Sequence, residues 1–283
     1  MTNIIRCVLL WLAVGSVTWA TGAKGIRVVS QTVGTDEMLL ALAEPEQIAA
    51  LSQIADDEAF SAVATQAKAY PKLSIHGDAE SILKYQPTLV LFADYSRSEL
   101  VAQVKRSGVA VLVFDRYKSL EDSYDNLRRL AKAIGAETKA ERVIADCEAR
   151  VKNLREKLKG VRRIRVIAPS TYGAIPGSDT TFQDLCDYAG AENLAATIGK
   201  LVGHTEPPGE KMLTWPIEKV VIAGATAESA LKPYEKLPPY QFMPAVKQRR
   251  VALLKPYQLS CVSHYRIDGY EQLARELHPD VFK

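Results

Sequence analysis

The sequence predicts an α/β fold: two Rossmann-like lobes joined by a single long α-helix. Three observations carry this expectation. Short apolar runs rich in β-branched residues recur along the chain with helical patterns between them, an alternation that implies parallel sheets layered with helices. One uninterrupted helical stretch, residues 137–158, breaks the alternation midway. A second strand–helix series then begins at Ile164. The expected division is 1–23 as an export signal, 24–136 as a first lobe, 137–159 as the connecting helix and 160–283 as a second lobe.

The elements follow in order. At the N-terminus Arg6 precedes an apolar run over residues 7–17, and small residues Ala20, Gly22 and Ala23 come next. This is the pattern of a cleavable secretory signal, with the cut after Ala20 or Ala23. The run is about half the ~20 residues needed to span a bilayer, which disfavours an uncleaved anchor. No cysteine follows it for lipid attachment. Strands are expected over residues 26–30, 48–52, 88–92 and 109–114, each a continuous apolar run suited to a sheet buried on both faces. Helical patterns over 36–43, 98–107 and 119–134 fill the gaps. The last opens with Ser119-Leu-Glu-Asp122 as a capping box and closes on Gly135 as a C-cap. The stretch 137–158 is rich in Ala, Glu, Lys and Arg and carries Val143, Ile144, Val151, Leu154 and Leu158 mostly on one stripe, with Gly160 beyond its end. At 1.5 Å per residue such a helix runs roughly 30 Å, about a domain diameter. Strands over 164–168, 219–223 and 250–254 belong to the second lobe.

Composition narrows the function. The chain is 47% hydrophobic and 24% charged, enough to bury a core. Its 36 basic and 33 acidic residues leave a net charge of +3, a balance that argues against a nucleic-acid binder, which would concentrate basic residues on one face. Beyond the signal, Cys147, Cys186 and Cys261 remain, an odd number that permits one bridge and one free thiol in an oxidising compartment. There is no C-x-x-C, no G-x-S-x-G, no P-loop and no G-x-G-x-x-G, so an α/β enzyme lacks the expected constellations. The histidines His76, His204, His264 and His278 have no zinc-site spacing.

Several segments resemble one family. Ile26-Arg-Val-Val-Ser30 followed by Gly34-Thr-Asp-Glu37 and Leu39-Leu-Ala-Leu42 is similar to the opening strand and helix of periplasmic binding proteins for siderophores, haem and cobalamin. Glu80-Ser-Ile-Leu-Lys-Tyr-Gln-Pro-Thr-Leu-Val-Leu91 resembles their E-x-I-L-x-L-x-P-D-L-V segment, with Thr88 in place of the usual Asp. Pro176-Gly-Ser-Asp-Thr-Thr-Phe182, then Ala189-Gly-Ala-Glu-Asn193, is similar to the second-lobe signature, and Leu277-His-Pro-Asp-Val-Phe282 to the C-terminal helix end. The resemblance covers essentially all of the chain after the signal. It implies a ligand cleft between two lobes bridged by a rigid helix, with little lobe movement on binding. It also implies a monomer in the periplasm that delivers its ligand to an ABC permease and its cytoplasmic ATPase. No intrinsic cofactor is expected. The cargo stays open among a ferric siderophore, haem and a corrinoid. A cobalamin-specific receptor, a zinc or manganese receptor and an α/β enzyme are the alternatives.

Ligands of open α/β sheets sit beyond the carboxyl ends of the strands, which selects the loops after them. Those loops hold Thr32, Tyr95, Arg97, Arg116, Tyr117, Tyr172 and Tyr257 as candidate ligand-binding residues, and Arg266 completes the arginine set. Tyrosines form stiff apolar walls with a polar tip, and arginines pair with carboxylates. In the cobalamin-binding relative an aromatic cleft residue stands where His204 does, so the resemblance makes His204 a ligand contact or an axial nitrogen for a metal. It likewise makes Glu80 and Glu210 permease-docking acids, one on each lobe. A bridged cysteine in the same relative suggests a Cys186–Cys261 disulfide, and leaves Cys147 an inert buried thiol.

Overall fold

The computed structural model describes residues 25–74 and 77–283. The expected signal, residues 1–23, and His76 lie outside the described residues. In chain order the strands are β1 (Val28–Ser30), β2 (Ile48–Ala50), β3 (Leu89–Ala93), β4 (Ala110–Phe114), β5 (Ile164–Ile167), β6 (Ile175–Pro176), β7 (Ala191–Asn193), β8 (His204–Thr205), β9 (Lys219–Ala223) and β10 (Val251–Leu254). They build two four-stranded parallel sheets, ordered β2-β1-β3-β4 and β10-β9-β5-β7, and an antiparallel ribbon of β6 with β8. The first sheet precedes the long helix and the second follows it, so the α/β expectation with two lobes holds.

Strand ends differ from the sequence reading for identifiable reasons. Residue 52 was expected inside a strand, but β2 stops at Ala50 and the Ser52 amide donates to Asp36 Oδ1 at 3.0 Å. Thr88 drops out of β3 and its hydroxyl accepts the Arg27 amide at 2.8 Å. The helix expected from residue 36 starts earlier, at Val33–Leu42, because Thr32 caps it and Thr35 completes a capping box. The helix Leu120–Ile134 forms as expected, with the Ser119–Asp122 capping box and Gly135 left-handed at φ 76°.

The helix Glu137–Lys157 buries Ala140, Ile144, Cys147, Val151 and Leu154, a stripe that repeats every three or four residues. Arg128 ion-pairs with Glu141 at its start, and Arg150 reaches Asp268 (2.7 Å) and Glu271 (3.0 Å) on the C-terminal helix Arg266–Leu277. The stripe belongs to one core that runs through both lobes. Leu39, Leu127 and Leu130 of the first lobe, Ile144 and Leu154 of the connecting helix, and Phe182, Ile267 and Leu273 of the second pack together. Each lobe also has an outer core on the far face of its sheet. Val28 faces the shared core and Val29 the outer one, as strand alternation requires, and Val166 and Ile167 divide likewise. No helix among the described residues is long and apolar enough to cross a membrane.

Candidate functional site

The carboxyl ends of the first sheet open into a cleft of about 740 Å³ between the lobes. Most of its wall comes from the first lobe: the start of the helix Val33–Leu42, the loop after β2, and the turn after β3. The second lobe supplies one strip, Tyr257, Ser260, Cys261 and Val262, from the segment after β10. The lobes pack tightly at Gly34, where an added Cβ would stand 2.3 Å from a Val262 methyl.

Of the residues expected from sequence, Thr32, Tyr95, Arg97 and Tyr257 line this cleft. Thr32 is the N-cap of its helix. Tyr95 sits at the tip of the turn after β3, which Ser96 fixes by donating its hydroxyl to Gln31 Oε1 at 2.7 Å. Arg97 stands at the rim and donates to the Gly77 carbonyl at 3.1 Å. Tyr257 is half-buried, with its hydroxyl 3.4 Å from Asp268. Burial pushes that phenol up to about 12, so at neutral pH it is an uncharged donor.

The others are placed elsewhere. Tyr117 meets Tyr95 edge-on at 5.7 Å and donates to Asp94, backing the cleft wall without lining it. Arg116 is exposed and held by Asp122 and Asp125. Tyr172 points into solvent, 95% exposed. His204 lies exposed on β8, opposite Pro176 in the ribbon, and does not line the cleft, so the axial-nitrogen expectation finds no geometry in its favour. Arg266 is 3% exposed and joins the lobes: it ion-pairs with Asp184 at 2.8 Å and donates to the Tyr117 carbonyl at 2.5 Å. A charge buried and paired in this way is committed to the fold. Glu80 and Glu210 are both exposed, in the first turns of the helices Ala79–Leu83 and Gly209–Thr214.

The disulfide expectation is corrected. Cys147, Cys186 and Cys261 are all free and buried. Cys186 is sealed in the shared core, whereas the Cys261 thiol lies by the cleft, 3.6 Å from a Glu37 carboxylate oxygen and 3.5 Å from the Ser263 hydroxyl. Burial pushes the Cys147 thiol up to about 11, consistent with an inert residue.

Sequence reasoning missed Ile54, Phe60 and Glu37. Ile54 and Phe60 sit on the loop after β2, which has no periodic pattern; an aromatic amid Asp56, Asp57 and Glu58 was the available signal. Glu37 reads as helix interior, yet it lines the cleft floor. Ile54, Phe60 and Tyr95 are large apolar side chains left exposed, Phe60 and Tyr95 at 56% each, and all three face the same cavity. The charged residues of the lining are Arg97 and Glu37. Among the described residues no group of three or more His, Cys, Asp or Glu side chains is arranged to hold a metal ion.

Two sheets, a bridging helix and a mixed apolar–polar cleft at strand ends define a two-lobed solute-binding protein. The sequence model of the family described as periplasmic binding protein matches residues 28–258, and the chain belongs to that family. A substrate-binding lipoprotein of an ABC transporter from Bacillus subtilis, YvrC, is 25% identical over 215 residues, covering 73% of this chain and 67% of the relative. Among solved structures, the periplasmic haem-binding protein RhuT from Roseiflexus sp. RS-1, in its apo form, is similar with a TM-score of 0.77 at 22% identity, over 90% of this chain and 99% of that one. A periplasmic haem-binding protein from Pseudomonas aeruginosa has a TM-score of 0.75 at 20% identity, over 89% of this chain and 92% of that one. At these identities the structural likeness is one of fold.

Proposed function

We propose that this protein is the extracytoplasmic receptor of an ATP-driven importer, exported by its N-terminal signal, and that its cargo is an iron complex with a broad flat apolar face, haem foremost. The observation that carries the cargo reading is the wall of Ile54, Phe60 and Tyr95 inside a cleft of about 740 Å³. Binding sites for small molecules have this volume range and this mixture of apolar wall and few polar groups. Large apolar side chains gathered in one exposed place mark a binding surface. Arg97 at the rim supplies the cation for a propionate or a chelate carboxylate, and Tyr257 an opposing aromatic wall from the second lobe. The haem-binding proteins of similar fold agree with this reading. Glu80 and Glu210, exposed one on each lobe, are the proposed contacts to the permease.

Titration of the purified protein with haemin, a ferric catecholate chelate and cyanocobalamin, followed by absorption and calorimetry, tests the cargo. Saturable haemin binding with a shifted Soret band is expected. Saturation by cyanocobalamin with no response to haemin would replace haem by a corrinoid.

A further inference from the structure

Two adjacent acidic residues on the helix Val33–Leu42 are almost wholly buried, Asp36 at 0% and Glu37 at 2% exposure. Buried carboxylates are uncommon and costly unless their oxygens are satisfied. Among the described residues neither forms an ion pair with a Lys, Arg or His; hydrogen-bond donors satisfy them instead. Consecutive helix residues point about 100° apart, so the two side chains reach different segments. Asp36 takes the Ser52 amide at 3.0 Å and the Ser52 hydroxyl. Glu37 Oε1 takes the Ala62 amide at 2.9 Å, and its Oε2 takes the Ser263 hydroxyl at 2.6 Å and the weaker Cys261 thiol at 3.6 Å. Ser52 and Ala62 are the two ends of the loop that carries Ile54 and Phe60. Ser263 belongs to the second lobe, directly after the cleft strip that ends at Val262.

We propose that Glu37 is the positioning residue of the cleft: one carboxylate ties the wall loop of the first lobe to the strip of the second lobe and holds the two walls in register. Asp36 anchors the loop's other end within the first lobe. Glu37 acts through Ala62 and Ser263 as a hydrogen-bond acceptor, and the ligand's affinity follows from the spacing it sets. Only this affinity half rests on the haem reading; the register half does not.

The test measures amide hydrogen exchange in the ligand-free protein and haemin binding by absorption. The Ala62 amide reports the first-lobe bond. The Tyr265 amide, which donates to Ser263 Oγ at 3.2 Å, reports the second-lobe side. In Glu37→Ala, exchange at Ala62 should rise about tenfold and haemin affinity fall about tenfold, the scale of one lost hydrogen bond. Glu37→Gln keeps an acceptor for Ala62, and the Ser263 hydroxyl can turn to accept from its amide group, so exchange and affinity should stay within about threefold of wild type. Ser263→Ala should weaken haemin and free Tyr265 while Ala62 stays protected. A Gln variant as impaired as Ala would overturn the positioning role, because it would make the charge itself the ligand contact. Unchanged exchange at Ala62 in a folded Glu37→Ala would also overturn it. Should Glu37→Ala not fold, Ser263→Ala combined with Cys261→Ala, which removes both second-lobe donors to Glu37, decides: unchanged haemin affinity with Tyr265 still protected is the contrary result. Wild-type protein that does not bind haemin refutes the cargo and leaves the exchange measurements to judge Glu37.

Discussion

Replacing Asp184 by Ala should be among the most damaging single changes in the second lobe. Its carboxylate pairs with Arg266 at 2.8 Å, accepts the Tyr270 hydroxyl, and takes the Leu120 amide at 3.3 Å from the first lobe. Arg266 is 3% exposed and has carbonyls as its other partners, those of Tyr117 and Ser263. Removing the acid leaves a guanidinium buried without a counter-charge, which costs about 3–5 kcal/mol. Typical total stabilities are roughly 5–15 kcal/mol, so much of the margin would go. At about 2–4 °C per kcal/mol for a chain of this size, Tm should drop by roughly 6–20 °C. Urea titration followed by circular dichroism gives the free energy, and a thermal scan gives Tm. The double change Asp184→Ala with Arg266→Ala should be milder than the sum of the singles, since it removes the orphaned charge as well. A loss below about 1 kcal/mol for Asp184→Ala, or strict additivity in the double variant, would refute the account of a buried pair whose members depend on each other.

Other outcomes follow from the same geometry. Gly34→Ala should gain up to about 1 kcal/mol from helix propensity, but its Cβ would press on Val262, so net destabilisation is expected and Val262→Ala should reverse it; denaturant midpoints of the two singles and the double decide the sign. Hydrogen bonds from Arg162 and Arg165 hold Glu218 near 2 against an ordinary 4.5. Its contribution is therefore complete above about 4.5 and lost as pH falls towards 2, and Glu218→Gln should flatten Tm across that window. Burial raises Asp36 from 3.8 to about 7. The folded state then binds a proton that the unfolded state has released, so this group makes stability fall as pH rises from about 4 to 7, and Asp36→Asn should remove that slope. Glu80→Lys combined with Glu210→Lys should leave haemin affinity in vitro unchanged and abolish uptake in cells, and normal uptake would dismiss the docking assignment.

The strands were legible because parallel strands buried on both faces are continuous apolar runs, as Val90, Leu91 and Phe92 illustrate. The edge strand β7 was not: Ala191, Glu192 and Asn193 carry no such signal, and they pair through β5 alone. In the cleft, the rule of strand carboxyl ends found Thr32, Tyr95, Arg97 and Tyr257 because it follows from local topology. It could not say which second-lobe loop would face them. That depends on how the two sheets are turned about the shared core, so Tyr172 ends in solvent while the segment after β10 enters the cleft. Arg266 illustrates the same limit. Its partner Asp184 lies 82 residues away, and only the packing of their two helices makes the arginine a strut.

The core shared by the lobes bears on how the molecule comes into being. Val28, Leu39 and Leu127 near the beginning share one apolar interior with Ile267, Leu273 and Leu277 near the end. The first lobe therefore cannot close its inner face on its own, and the helix Glu137–Lys157 has a bare flank until Arg266–Leu277 arrives. Many two-domain chains complete their first half while the ribosome is still making the second. Here each half completes its inner face only against the other, so denaturant unfolding is expected to run as a single transition and not as two separable steps.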